Sequence, residues 1–228
     1  MKEAHEPPQI AEHPAAFTIR GREVSEWEWQ QERRNAAERF QRSGCPVRAV
    51  DWVKAYRRGE CKSERDDWAR HLESVQRALC GSGATFALVS EQRGTGKTTL
   101  ATAAARHVCE QGASVKFQRA AFLSSRIRAS FQREARENEH GINLELLKPR
   151  LLIVDEMGER KESEWENQML TNLLCARHDE AKDSILIANQ DAATFTAAVG
   201  ESIADRMHEA GGIIEFRWPS FRTRHEQT

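Results

Sequence analysis

The chain has 228 residues, enough for one domain or one domain with an arm, which excludes a large multidomain machine. Its 34 basic residues face 35 acidic ones, for a net charge of −1, so bulk coating of nucleic acid is excluded and any nucleic-acid site must be local. No apolar run approaches the ~18 residues of a membrane-spanning helix, and the opening MKEAHEPPQIAEHP lacks the apolar stretch of a signal peptide. A cytoplasmic protein with no membrane partner is expected. Cys45, Cys61, Cys80, Cys109 and Cys175 form no CxxC pair and the histidines are scattered, which argues against zinc and against a nucleophile paired with histidine.

In chain order, residues 1–20 carry Pro7, Pro8 and Pro14 among polar residues and are expected to be a disordered tail. Residues 21–60 read as a helical arm and linker. The stretch 24–42 has no Gly or Pro, and Gly44 and Pro46 then break it. Trp29, Ala36, Ala37 and Phe40 share one face, with Trp27 flanking, and that stripe needs a partner, either another protein or the main domain. Residues 61–228 read as the main domain. A helix over about 62–79 places Trp68, Leu72, Val75 and Leu79 at helical spacing. Strands at 85–90, 114–118, 151–154, 185–189 and 212–218 then alternate with helical stretches at 98–111, 120–137, 164–178 and 191–210. The alternation predicts an α/β fold, a central parallel five-stranded sheet flanked by helices.

The turn SEQRGTGKTT (90–99) joins a strand to a helix. In that context the backbone N–H groups of Gly94, Thr95 and Gly96 can wrap a phosphate chain, and the helix start adds its positive end. Lys97 reaches the β- and γ-phosphates and the Thr98 hydroxyl ligands Mg²⁺, with Thr99 beside it in the nucleotide-binding set. Glu91 stands where the strict G-x-x-x-x-G-K-[ST] pattern has its first glycine. About 55 residues beyond the lysine, LLIVDE (151–156) ends an apolar strand in two acids: Asp155 to hold the Mg²⁺ shell and Glu156 to act on the attacking water as general base. ILIANQ (185–190) ends a third strand at Asn189, a residue able to position that water.

Together these segments resemble the AAA+ P-loop ATPases, and within them the replicative-helicase loaders of the DnaC type, with the IstB transposition helpers as relatives. The resemblance covers roughly 39–225 and is carried most specifically by LLIVDEMGERKESEWEN and VGESIADRMHEAGGIIEFRWPSFRTR. It implies that Arg206 is an arginine finger supplied to a neighbouring subunit, hence a homo-oligomer. The residues alone favour a surface ion pair with Asp205 or Glu209. It also makes Arg222 a candidate phosphate sensor, and implies that the positions of Phe131, Ser163 and Trp165 contact single-stranded DNA.

Between Lys116 and Arg136 there are six basic residues and one acid. Arg119, Arg126 and Arg133 recur every seven residues on one expected helical face with Phe122, a pattern suited to a phosphate backbone and stacked bases. Phe131 fits that surface or, with Leu123 and Ile127, an apolar core line. The expectation is an ATP- and Mg²⁺-dependent ATPase that binds a replicative DNA helicase through its N-terminal arm and delivers it to single-stranded DNA. An IstB-like helper of a transposase, and a non-hydrolysing adaptor that binds DNA and helicase, are the alternatives.

Overall fold

The computed structural model describes residues 18–58, 66–79, 81–132, 137–159 and 164–221, without the side chains of 159 and 164–166. A two-residue hairpin, β1 (Thr18–Ile19) and β2 (Arg22–Glu23), turns through Arg20 and Gly21 at φ 51° and 76°. Helix α1 (Glu26–Arg42) starts on a capping box, in which the Ser25 hydroxyl accepts from the Glu28 N–H and the Glu28 carboxylate accepts from the Ser25 N–H.

Helix α2 (Val47–Arg57) lies where only a linker was expected. Pro46, with its fixed φ of −59°, opens it, and Ala49 and Val53, four residues apart, bury one face. There follow α3 (Asp66–Ala78), β3 (Thr85–Val89), α4 (Lys97–Glu110) and β4 (Val115–Arg119). The single helix expected over 120–137 is instead α5 (Ala120–Ser130), and α6 (Glu139–Leu147) follows it under its own cap, Asn138 accepting from the Gly141 N–H at 2.7 Å. The chain continues through β5 (Leu151–Asp155), a 3₁₀ turn (Met157–Glu159), α7 (Glu164–Asp179), β6 (Asp183–Ala188), α8 (Ala192–Val199), α9 (Glu201–Glu209) and β7 (Gly211–Glu215).

The five long strands form one parallel sheet in the order β4-β5-β6-β3-β7, as the alternation predicts. Strands β3, β5 and β6 are buried throughout, which is why they read as unbroken apolar runs: helices cover both faces. One core holds Trp68, Leu72, Val75, Leu100 and Ile153. The other holds Leu123, Ile127, Leu146, Val154 and Leu173.

The stripe on α1 finds its partner in the main domain. Phe40 of α1 and Val53 of α2 belong to the first core, the Ser43 carbonyl accepts from the Phe117 N–H at 2.7 Å, and Arg39 donates to the Cys109 carbonyl. Of the two partners the stripe allowed, Phe40 meets the main domain, so the core runs continuously across residue 60. Burying a side chain such as Phe40 or Val53 contributes about 1.5–3 kcal/mol, which two isolated helices have no surface to capture.

Arg177 sits wholly buried in α7 and donates to the carbonyls of Leu146, Pro149, Arg150 and Asp183 and to the Ser184 hydroxyl. Burial brings its pKa down to about 10. The guanidinium ties α7 to the ends of α6, β5 and β6, and so fixes the strands that carry the site.

Candidate nucleotide site

The loop between β3 and α4 takes its shape from Gly94 and Gly96, at φ 81° and 90°, where a Cβ is penalised. Glu91 is exposed and is not among the described non-glycine residues at positive φ. Its position makes no demand for glycine, so the departure from the strict pattern leaves the turn intact. Lys97 is 5% exposed. Its Nζ folds back to donate to the Gln92 carbonyl at 3.0 Å, with the Ser90 carbonyl and Thr95 hydroxyl at 3.5 and 3.4 Å.

Across the mouth of the loop the Thr98 hydroxyl donates to Asp155 Oδ2 at 2.8 Å, and Asp155 Oδ1 accepts from the Glu156 N–H at 2.8 Å. Burial raises the Asp155 pKa, against the opposing pull of these two donors and of Arg119 and Lys97. A buried carboxylate beside a hydroxyl is the oxygen set of a hard cation, and Mg²⁺ takes few protein ligands because phosphates and water fill the rest. The residues therefore fit Mg²⁺. Among the described residues no group of three or more His, Cys, Asp or Glu suited to a metal occurs.

Glu156 has φ 61°, a left-handed conformation that costs a residue with a Cβ about 1–2 kcal/mol. Such strain marks a side chain aimed by its surroundings. Arg119 at the end of β4 stands 3.6 Å from the Glu156 carboxylate. Asn189, half-buried, follows β6, the strand between β3 and β5. The sheet order thus gathers the loop, Asp155, Glu156 and Asn189 at one edge, since all follow the C-terminal ends of adjacent parallel strands.

Arg206 lies elsewhere. Helix α9 leads into β7, whose Gly211 pairs with Thr85 at the start of β3, the sheet end opposite the loop. Its Nη1 donates to the Ser202 carbonyl and hydroxyl at 3.0 Å, its Nη2 stands 3.9 Å from Asp179, and its Nε is buried without a hydrogen bond. The acid beside it is Asp179 of α7, not Asp205 or Glu209. Arg222 lies outside the described residues, directly after Phe221.

The basic stripe does not stand as a row of free cations. Arg126 makes a two-pronged contact with Glu137 at 2.6 and 2.7 Å and a further one with Glu145 at 2.5 Å, while Lys116 reaches Glu145 at 2.6 Å. The two cations hold the Glu145 pKa down at about 2. The acids come from α6 and its approach, outside the window in which six bases met one acid, so Arg126 of the expected DNA-facing stripe is paired within the chain. Arg133 and Ser163 lie outside the described residues. Trp165 is placed in α7 by its backbone, its side chain lying outside them. Leu123 and Ile127 are core, whereas Phe122 and Phe131 are 66% and 60% exposed, which decides Phe131 against the core.

Two residues at the loop have no nucleotide role in the sequence reading. Trp68 Nε1 donates to the Gly96 carbonyl at 3.2 Å and Trp218 Nε1 to the Thr95 carbonyl at 3.0 Å. Trp68 reads as part of a helix stripe and Trp218 as a strand end, although β7 stops at Glu215.

The pattern of the IstB-like ATP binding protein family matches residues 30–228. The Replicative helicase loader DnaC of Escherichia coli (strain K12) is 27% identical over 218 residues, 90% of this chain and 87% of the relative. The loader of the same name from Buchnera aphidicola subsp. Baizongia pistaciae is 28% identical over 136 residues, covering 59% and 55%. Among solved structures, a DnaC helicase loader superposes with a TM-score of 0.59 at 18% identity, over 69% of this chain and 94% of that one. AMPPCP-bound DnaA from Aquifex aeolicus gives 0.53 at 19%, over 63% and 44%. At these identities the structures speak to the fold, that of an AAA+ P-loop ATPase. With the family pattern running through the loop, the LLIVDE strand and both helical flanks, the chain belongs to the IstB-like ATP-binding proteins, the DnaC/IstB group its sequence resembles.

Proposed function

We propose that the chain is a Mg²⁺-dependent ATPase of helicase-loader type, which binds a replicative DNA helicase and delivers it to single-stranded DNA. The observation that carries the ATPase is the Thr98–Asp155 contact at 2.8 Å beside a glycine-shaped loop and a strained Glu156. Thr98 and Asp155 would hold Mg²⁺, which when bound offsets charge on the phosphoryl oxygens. The loop N–H groups and Lys97, once it leaves the Gln92 carbonyl, orient the phosphates, with Thr99 in the first turn of α4. Glu156 accepts a proton from the attacking water and Asn189 orients that water. Arg206, remote from its own loop, serves the nucleotide of a neighbouring copy in a homo-oligomer.

Arg119 couples hydrolysis to DNA in this reading. It is 59% exposed, pairs with Glu156, and lines a groove of about 580 Å³ with Phe117, Phe122 and Ser125. A DNA phosphate that draws Arg119 away frees the carboxylate, while Phe122 and Phe131 offer stacking surface. The helicase meets the 21–60 segment at a cleft of about 850 Å³ between the hairpin, α1, α2 and the end of α4, lined by Arg20, Arg33, Lys54, Arg57, Arg58 and Arg106 against Glu32 and Glu110. That excess of cations suits an acidic surface.

The test pairs a pull-down by the full chain, against the host's replicative helicase and its transposases, with ATPase measurement with and without single-stranded DNA. Helicase capture with DNA-stimulated turnover supports the loader. Capture of a transposase alone makes the chain a transposition helper, and capture of helicase and DNA without turnover makes it an adaptor.

A further inference from the structure

Three successive carbonyls of the phosphate loop are each met by a donor from outside it. The Gly94 carbonyl accepts from the Phe221 N–H at 2.9 Å, the Thr95 carbonyl from Trp218 Nε1 at 3.0 Å, and the Gly96 carbonyl from Trp68 Nε1 at 3.2 Å, beside the Leu100 N–H of α4 at 2.8 Å. Because a trans peptide is planar, its C=O and the following N–H point in opposite directions. Fixing these three carbonyls toward α3 and the 216–221 strap therefore turns the N–H groups of Thr95, Gly96 and Lys97 to the other, concave side. Those are the groups a phosphate needs.

We propose that Trp68 and Trp218 are positioning residues of the nucleotide site, a clasp that presets the loop from outside. Both indoles are buried, 1% and 7% exposed, and each has one N–H to give. The rings are themselves held. Trp68 packs edge-on against Trp52 and Tyr56 of α2 at 5.1 and 5.5 Å, and Trp218 lies between His71 and Phe216 at 5.9 and 4.9 Å. The strap is anchored in turn by the Phe216 N–H on the Val89 carbonyl and by the Ser90 hydroxyl on the Phe216 carbonyl, both at 2.8 Å. A Cβ on Gly96 would stand 2.9 Å from Trp68 Nε1 and 3.1 Å from Phe221, so this glycine is needed for the close approach of the clasp as well as for its φ.

The inference rests on the reading of residues 90–99 as a nucleotide site, and the experiment separates the two. Mg–ADP binding is measured by calorimetry on the full-length parent, Trp68→Phe, Trp218→Phe and the double variant, with steady-state ATPase alongside. Phenylalanine keeps a ring and removes the N–H. Losing one neutral hydrogen bond should weaken Mg–ADP by about three- to tenfold in each single variant, and further in the double. KM should rise in step while kcat stays within about twofold, because the N–H groups hold phosphate alike before and during the reaction. Val75→Ala removes buried methyls from α3 without touching the loop, and should lower Tm yet leave Mg–ADP affinity unchanged. If Trp68→Phe does not fold, Trp218→Phe alone decides. Parent-like affinity in the folded Phe variants, or an equal loss in Val75→Ala, overturns the clasp. A parent that binds no Mg–ADP overturns the site reading instead.

Discussion

The nucleotide edge of the sheet and the surface of α5 carry the two densest signals in this sequence, yet they translate into structure differently. At the nucleotide edge, Lys97, Thr98, Asp155, Glu156 and Asn189 gather as their motifs imply. On α5, Arg126 is spent on Glu137 and Glu145, while the exposed Arg119 at its cap is shared with Glu156. A phosphate loop depends on backbone conformation, which is written locally, and its acids stand at the ends of strands that are legible as apolar runs. A cationic surface depends on which acids fold beside it, and those arrived from α6, a helix that was not anticipated.

The largest effects should come from the nucleotide edge. Glu156→Gln is expected to cut ATP turnover by about 10²-fold or more while Mg–ATP still binds, and Lys97→Ala to lose binding as well. Parent-rate hydrolysis by Glu156→Gln would remove LLIVDE from the active site and dissolve one side of the comparison. Arg206→Ala should leave nucleotide binding by isolated subunits unchanged and abolish stimulated turnover. Mixing it with Lys97→Ala should restore part of the rate, since each supplies the half-site the other lacks. No recovery at any ratio, with assembly intact, counts against action between subunits.

The two arginines of α5 and its cap sharpen the comparison directly. Arg119→Ala should weaken single-stranded DNA binding and flatten its log–log salt slope by ~0.7, and should raise DNA-independent ATPase by freeing Glu156. Arg126→Ala should leave that slope unchanged and lower stability by about 1 kcal/mol, as a partly exposed pair does. Equal slopes lost in both would mean that pairing with α6 does not decide which cation meets DNA.

A smaller effect follows from Glu145. Its folded pKa is depressed from 4.5 to about 2 by Arg126 and Lys116. The stabilisation is therefore fully present above about pH 4.5 and is lost as pH falls toward 2, where the unfolded chain takes up the proton first. Urea melts across that window should show a shallower decline in Arg126→Ala than in the parent. Smallest of all, Glu91→Gly should change Mg–ATP affinity by about twofold or less, because Glu91 is exposed and its backbone is not in the left-handed region.

Sequence alone determined the five-stranded parallel sheet, since strands buried on both faces must read as apolar runs separated by amphipathic helices. It also determined the phosphate loop and the acid pair, because their chemistry is set by residues adjacent in the chain or fixed at strand ends. Tertiary structure decided the rest. It sent the stripe of α1 into the main core, where α4 offered apolar surface at no distance the sequence could reveal. It exposed Phe131 while burying Ile127 one turn away, and it neutralised Arg126. It also brought Trp68 and Trp218, 150 positions apart in the chain, onto neighbouring carbonyls of one loop. Such contacts depend on how separate elements close in space, and a single chain carries no local mark of them.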